Sequence, residues 1–436
     1  MHIDYFLLLL ILSKALGSPS CGQLGLISVL IRVSEFELGL SVWTARSPSK
    51  FTRTPCRLCA DSEQIHTSKI SVWTTRSPCG SVKTSDGGRN RVPTLQVKDP
   101  VTRTVIREAH TNEEKGELLY QTFFPKQRAP PAPVPEEPYP QAKWVYETIT
   151  DKQIHRAIMK MKPWKEMRKD TIPNSVFIHA RELLVPHLGP LYRATDTLEM
   201  YPDDWKLTET PILRKPGKPD YMAPNAWRPI VLSNGYARLL NGCKTEDLVL
   251  MCKKTRILPS NHFGGRPGRA TTDSIHLMVK VVKDAWRKGE VASLLCLDVK
   301  VAFPSTAVDV MRHKMHLHSI PRGHVEWLER QLEGRRTTLV FDDFRSESFD
   351  IAEGIDQGDA QSLIVWLIYN LLLLKIFQKE TKETGLLYVD NTAALVTGTN
   401  FQVTHSKLKN IMNREGNYRL GQHTQLLFWN RKVSIA

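Results

Sequence analysis

The chain has 436 residues, a hydrophobic fraction of 41% and a net charge of +15, with a pI near 9.4. This length gives room for two or three domains with a sizeable core, and seven cysteines are too few for a disulfide framework. The excess positive charge favours a polyanionic partner, with nucleic acid ahead of an acidic membrane.

The N-terminal region, residues 1–98, shows little periodicity and is rich in Ser, Thr, Arg, Gly and Pro, which predicts that it is largely disordered. Its apolar run from Phe6 to Leu12 is too short to span a membrane, and no Lys or Arg precedes it. We interpret the run as a degenerate segment, and secretion with cleavage after Gly17 is the alternative. We therefore expect a nuclear or cytoplasmic protein without stable membrane association. The pair Cys56 and Cys59 has the spacing of half a zinc site but is better explained as two incidental thiols.

Residues 99–124 are predicted to contain a short helix, and residues 125–141 form a Pro-rich linker, which is the strongest predicted domain boundary. After the linker, Thr150-Asp-Lys-Gln153 has the pattern of a capping box, and a second helix is predicted from about Ser175 to Thr197. Strands and helices then alternate in mixed order, which predicts an α+β domain over residues 142–425, followed by a tail, 426–436.

Two apolar runs each end in a carboxylate. They are Leu294-Leu-Cys-Leu-Asp-Val-Lys-Val-Ala-Phe303 and Leu386-Leu-Tyr-Val-Asp-Asn391, and both are predicted to be buried strands. A lone buried aspartate is costly unless a cation or a hydrogen-bond donor meets it. If the two strands lie side by side, Asp298 and Asp390 meet, and adjacent carboxylates are suited to binding two hard divalent cations.

Three further segments suit contacts with phosphates. A Lys-rich turn between two strands, with Lys218 in the turn and Arg228 in the second strand, can place cations on a triphosphate, although a solvated basic loop is the alternative. A Gly- and Arg-rich segment containing Arg266 and Arg269 precedes a helix and suits a phosphate backbone. The third segment, residues 353–362, precedes an apolar helix.

In this order and spacing the segments resemble the fingers and palm of a reverse transcriptase from a non-LTR retrotransposon. Their sequence motifs are especially similar to those of fungal copies of the jockey-like type. The resemblance covers residues 100–420 and rests on Arg-Lys-Pro-Gly-Lys-Pro, Arg-Pro-Ile, Phe-Gly-Gly-Arg-Pro-Gly-Arg, Leu-Asp-Val, Gln-Gly-Asp and Tyr-Val-Asp. It implies a right-hand polymerase fold and an RNA-directed DNA polymerase that uses an RNA template, a DNA primer, dNTPs and two Mg²⁺ ions, with Mn²⁺ as a substitute.

The resemblance also implies roles for individual residues. The carboxylates of Asp298 and Asp390 and the carbonyl of Val299 would bind the metal ions. The remaining positions are nucleotide-binding (Lys218, Arg228, Phe303, Gln357 and Gly358) or nucleic-acid-binding (Arg266 and Arg269). Among the nucleotide-binding positions, Phe303 would pack under the sugar and exclude a 2′-hydroxyl.

Some positions depart from the family pattern. Asn391 stands where the family has its second catalytic aspartate, and an amide brings no negative charge to two divalent cations. Asp356 and Gln361 stand where the family has small or apolar residues. We interpret the sequence as a truncated, decaying element with impaired activity, and the alternative is a catalytically dead remnant that binds nucleic acid.

Overall fold

The computed structural model describes residues 91–99, 101–124, 138–163, 172–299 and 301–414, together with the backbone of 28–31. The apolar N-terminal run, the pair Cys56 and Cys59, the tail 426–436 and most of the Pro-rich linker lie outside these residues. Most of the region predicted to be disordered also lies outside them, although Ser28–Ile31 and Leu95–Lys98 form strands.

The described helices follow local sequence signals. They are α1 (Asn112–Phe123), α2 (Asp151–Lys160), α3 (Asn174–His179), α4 (Arg181–Thr197), α5 (Asp203–Lys206), α6 (Gly235–Lys254), α7 (Thr271–Arg287), α8 (Val308–Leu317), α9 (Arg322–Leu332), α10 (Ser362–Tyr369) and α11 (Phe401–Arg414), with 3₁₀ turns at Pro224–Ala226 and Leu371–Ile376. The predicted capping box is confirmed, because the side chains of Thr150 and Gln153 each accept the other's backbone N–H. The predicted continuous helix from Ser175 to Thr197 is wrong, since Ala180 leaves the helical conformation and separates α3 from α4.

The strands are β1 (Ser28–Ile31), β2 (Leu95–Lys98), β3 (Val105–Ala109), β4 (Leu207–Arg214), β5 (Trp227–Pro229), β6 (Val291–Asp298), β7 (Arg336–Phe341), β8 (Phe344–Arg345), β9 (Phe349–Asp350), β10 (Glu383–Tyr388) and β11 (Asn391–Gly398). The first sheet has the order β1-β6-β11-β10, with β1 parallel to β6 and the other pairs antiparallel.

The first sheet lies between two helices because its strands are apolar on both faces. On one face, Leu294 and Leu395 pack with Ile275 and Met278 of α7. On the other face, Ala394 and Val396 pack with residues of α11. The apolar side chains of both runs therefore pack in the cores on the two faces of the sheet.

The second sheet has the order β5-β4-β7-β8, with β9 also paired to β7. Its core contains Trp227 and Leu339 together with Leu95 of β2 and Leu119 of α1. The predicted boundary at 98/99 falls in the β2–β3 hairpin, and the segment before the linker shares a core with the sheet after it. This packing could not be seen in the sequence because it depends on long-range contacts.

The largest core joins helices α2, α4, α6, α8, α9 and α10. The apolar helix predicted after residue 362 forms α10 and the following 3₁₀ turn. Residues 363–369 and Leu371 pack in this core, whereas Ile376 and Phe377 pack in the core beside α11. Among the described residues, no helix is both long and apolar enough to cross a membrane. The predicted α+β class is confirmed.

Candidate active site

The ends of β6 and β11 bring the two carboxylate segments together. Asn391 lies directly opposite Asp298 in the antiparallel pair β6–β11, and it also pairs with Tyr388 across the β10–β11 hairpin. Val389 and Asp390 therefore form a two-residue turn, and the N–H of Val299 donates to the carbonyl of Asp390 at 3.3 Å. Asp298, Val299, Asp390 and Asn391 thus lie together at one end of the strands of the first sheet.

The turn between β10 and β11 is strained. Val389 has a φ of 56°, a left-handed conformation that is unfavourable for a β-branched residue and costs about 1–3 kcal/mol. Its carbonyl accepts two hydrogen bonds, from Trp366 Nε1 at 2.9 Å and from Asn370 Nδ2 at 2.7 Å. Each bond contributes about 1 kcal/mol, so together they offset much of the strain.

A buried histidine supports the same turn. His262 Nε2 lies 3.3 Å from Asn370 Oδ1, which orients the Asn370 amide so that its nitrogen faces the Val389 carbonyl. Burial lowers the pKa of His262 to about 4, so the ring is neutral at pH 7 and donates through a protonated Nε2. This network could not be predicted from local sequence patterns, because its members are far apart along the chain.

The predicted Gly- and Arg-rich segment makes a backbone contact with the turn. Phe263 N–H donates to the Leu387 carbonyl at 2.8 Å, and a Cβ on Gly264 would lie 2.6 Å from Val389 N. Glycine is required at 264 by this close approach to the turn. Arg266 donates to the carbonyls of Pro259 and His262 at 2.5 and 2.8 Å, so part of its guanidinium group is used inside the loop.

Arg269 is exposed, with its guanidinium 5.6 Å from the centre of the Phe263 ring. Of the two arginines predicted to bind nucleic acid, it is the more accessible. The helix that follows begins with a side-chain cap, because Asp273 Oδ2 accepts the N–H of Ala270 at 2.7 Å.

The basic hairpin brings positive charge close to the turn. Burial raises the pKa of the Asp390 carboxyl, while Arg228 and Lys215 act in the opposite direction. Arg228 lies on β5, opposite Leu213 of β4, and Lys218 lies in the turn after β4. Lys218 and Arg228 were predicted to bind the nucleotide, whereas Lys215 was not, although it belongs to the same Lys-rich segment.

The amide at 391 makes a direct contact with the neighbouring carboxylate. Asn391 Nδ2 donates to Asp390 Oδ1 at 3.2 Å. This bond stabilises the charged form of Asp390, whereas a second carboxylate at this position would oppose it.

The segment with Gln357 and Gly358 is joined to the residues after β5. Val231 N–H donates to the Gln357 carbonyl at 2.8 Å. Gly358 has a φ of 131°, and a Cβ there would lie 2.6 Å from the Val231 carbonyl oxygen. Phe303 packs with its ring 5.8 Å from that of Trp366, and its carbonyl accepts the N–H of Ile355 at 2.9 Å. Phe303 therefore connects this segment to the support of the turn.

The sequence of the chain is similar to sequences of known proteins. Residues 213–421 match the family model described as reverse transcriptase (RNA-dependent DNA polymerase). The chain is 24% identical over 218 residues to the probable RNA-directed DNA polymerase from transposon X-element of Drosophila melanogaster, covering 50% of this chain and 24% of that protein. It is 21% identical over 331 residues to the RNA-directed DNA polymerase from mobile element jockey of the same species, covering 74% of this chain and 36% of that protein. The chain thus spans about a quarter to a third of the length of these curated relatives.

The matched residues form a reverse transcriptase domain. The similarity of the chain to transposon polymerases such as that of jockey supports the predicted jockey-like, non-LTR retrotransposon type. The fungal likeness stays a prediction, since both relatives are insect proteins.

Proposed function

We propose that this domain is an RNA-directed DNA polymerase, which extends a DNA primer on an RNA template with dNTPs. The observation that carries the proposal is the pairing of β6 with β11, which sets Asn391 opposite Asp298 beside the Val389–Asp390 turn. On this proposal, the first sheet with α7 and α11 is the palm, and the second sheet with its basic hairpin belongs to the fingers.

The residues at the strand ends fit a hard divalent cation. Mg²⁺ prefers oxygen ligands, which the carboxylates of Asp298 and Asp390 and the carbonyl of Val299 would supply. Burial raises the pKa of the Asp390 carboxyl, and a neighbouring cation would favour its charged form. When bound, two Mg²⁺ or Mn²⁺ ions would neutralise phosphate charge and lower the pKa of the primer 3′-hydroxyl.

The other residues would bind and orient the substrates. Arg228, Lys215 and Lys218 would place positive charge on the triphosphate, which favours departure of pyrophosphate. Gln357 and Gly358 would lie against the incoming nucleotide, with the Phe303 ring under its sugar. Arg269 would contact the nucleic-acid backbone, and Arg266 would contribute what remains of its guanidinium after its two loop hydrogen bonds.

Asn391 favours a second candidate function, which is nucleic-acid binding without catalysis. An amide opposite Asp298 leaves the site one negative charge short, so metal affinity and rate should both fall. The basic surface would still bind polyanions, and this binding would weaken steeply with salt.

Primer extension on poly(A)/oligo(dT) with Mg²⁺ or Mn²⁺ tests the proposal. Extension by the native chain that is lost in Asp298→Ala, with circular dichroism unchanged, supports polymerase activity. Salt-sensitive binding of the same template by a folded chain that never extends the primer supports the second candidate.

A further inference from the structure

The segment that carries Gln357 and Gly358 contains a charged residue in a confined place. Asp356 stands where the resembling family has a small or apolar residue, and its side chain is only 11% exposed. It forms an ion pair with Arg335, whose Nη1 lies 2.5 Å from Asp356 Oδ1 and whose side chain is 3% exposed. The charge at 356 therefore has a buried partner.

The other two nitrogens of the Arg335 guanidinium donate to backbone carbonyls. Its Nε donates to Leu332 at 2.9 Å, and its Nη2 donates to Gly354 at 2.7 Å. The guanidinium thus fastens the end of α9 to the segment before Gln357. Removing either member of such a pair leaves an unpaired buried charge, so Arg335 and Asp356 depend on each other.

The ion pair contacts one side of the segment, and the residues after β5 contact the other side. Asp356 directly precedes Gln357, whose carbonyl accepts the Val231 N–H at 2.8 Å. A displacement of Asp356 would therefore be transmitted to Gln357 and Gly358 within one or two residues.

We infer that Arg335 is a positioning residue, which acts through Asp356 and the Gly354 carbonyl to hold Gln357 and Gly358 where the incoming dNTP binds. The inference rests on the proposed polymerase function for its kinetic consequence. On this inference, Asp356 is the ion-pair partner of Arg335 and is not a sign of sequence decay.

A kinetic test uses Asn391→Asp as the background, with Asp356→Asn and Arg335→Met added singly. The control is Arg345→Met, which removes a more exposed ion pair between Arg345 and Glu209 of the second sheet. We expect the KM for dTTP to rise roughly tenfold in the two test variants while kcat changes by less than about twofold, because a loss of folded protein lowers kcat alone. An unchanged KM in Asp356→Asn would overturn the inference.

Amide hydrogen exchange at Val231 tests the same inference without activity. We expect the Val231 amide to exchange roughly tenfold faster in Asp356→Asn than in the native chain, because Asp356→Asn displaces the Gln357 carbonyl that accepts its hydrogen bond. Exchange should be unchanged in Arg345→Met. Faster exchange without primer extension by any variant would support the positioning role and reject the polymerase proposal. Unchanged exchange in Asp356→Asn would reject the positioning role.

Discussion

A single methyl group at Gly264 should displace the turn that carries Asp390. A Cβ there would lie 2.6 Å from Val389 N and 3.0 Å from the Tyr388 carbonyl carbon, both of which are backbone atoms. The turn cannot retreat freely, because the Val389 carbonyl is held by Trp366 and Asn370. Overpacking of this kind costs about 1–3 kcal/mol, so Gly264→Ala should lower the free energy of unfolding by that amount.

Gly242 provides the matched control. It lies within α6, and a Cβ there would meet nothing within 4 Å. Gly242→Ala should therefore raise the free energy of unfolding by about 0.5–1 kcal/mol through helix propensity. Urea unfolding followed by circular dichroism measures both variants. A Gly264→Ala variant as stable as the native chain, or stabilised as much as Gly242→Ala, would refute the close approach of Gly264 to the turn.

Three further predictions concern buried charge. Arg414→Met should lower the free energy of unfolding by about 3–5 kcal/mol, because it removes the guanidinium that contacts the fully buried Glu383 carboxylate at 2.7 and 2.9 Å. Chemical denaturation measures the free energy of unfolding, and a loss below about 1 kcal/mol would contradict the prediction. The pKa of His262 is about 4 in the folded chain and 6.5 ordinarily, so its stabilising contribution is complete above pH 6.5 and is lost as the pH falls toward 4. His262→Gln should therefore remove up to roughly 3 kcal/mol of the loss of stability in acid, as measured by urea unfolding at several pH values. An unchanged pH dependence would contradict this prediction. Asn391→Asp should lower the stability of the metal-free chain by about 1–2 kcal/mol through repulsion with Asp390, and Mg²⁺ should restore it in thermal unfolding; a variant insensitive to Mg²⁺ would count against a metal site.

The sequence predicted features that depend on local patterns. The apolar runs before Asp298 and Asp390 follow from the requirement that buried strands be hydrophobic, and the cap at Thr150 follows from the spacing of its partners. The ordered motifs then identified the domain through resemblance. Each of these signals lies within about a dozen residues of sequence.

Features that depend on tertiary contacts were not predictable. The Gly- and Arg-rich segment is predicted to suit a phosphate backbone, yet the close neighbour of its Gly264 is the backbone of Val389. Trp366 lies in the apolar helix and Asn370 follows it, and only the folded chain shows that both donate to one strained carbonyl. Asp356 departs from the family pattern, and only the folded chain shows that it forms an ion pair with Arg335. Long-range pairing decides each of these outcomes.

The most direct test of the account is single-turnover incorporation of dTTP on poly(A)/oligo(dT), measured against Mg²⁺ concentration for the native chain and Asn391→Asp. The account predicts that Asn391→Asp incorporates dTTP at least roughly 100-fold faster, with half-maximal activity at lower Mg²⁺, because the second carboxylate restores charge opposite Asp298. Addition of Asp298→Ala should abolish this gain. Equal rates for the folded native chain and Asn391→Asp would contradict the assignment of this strand edge as the catalytic metal site.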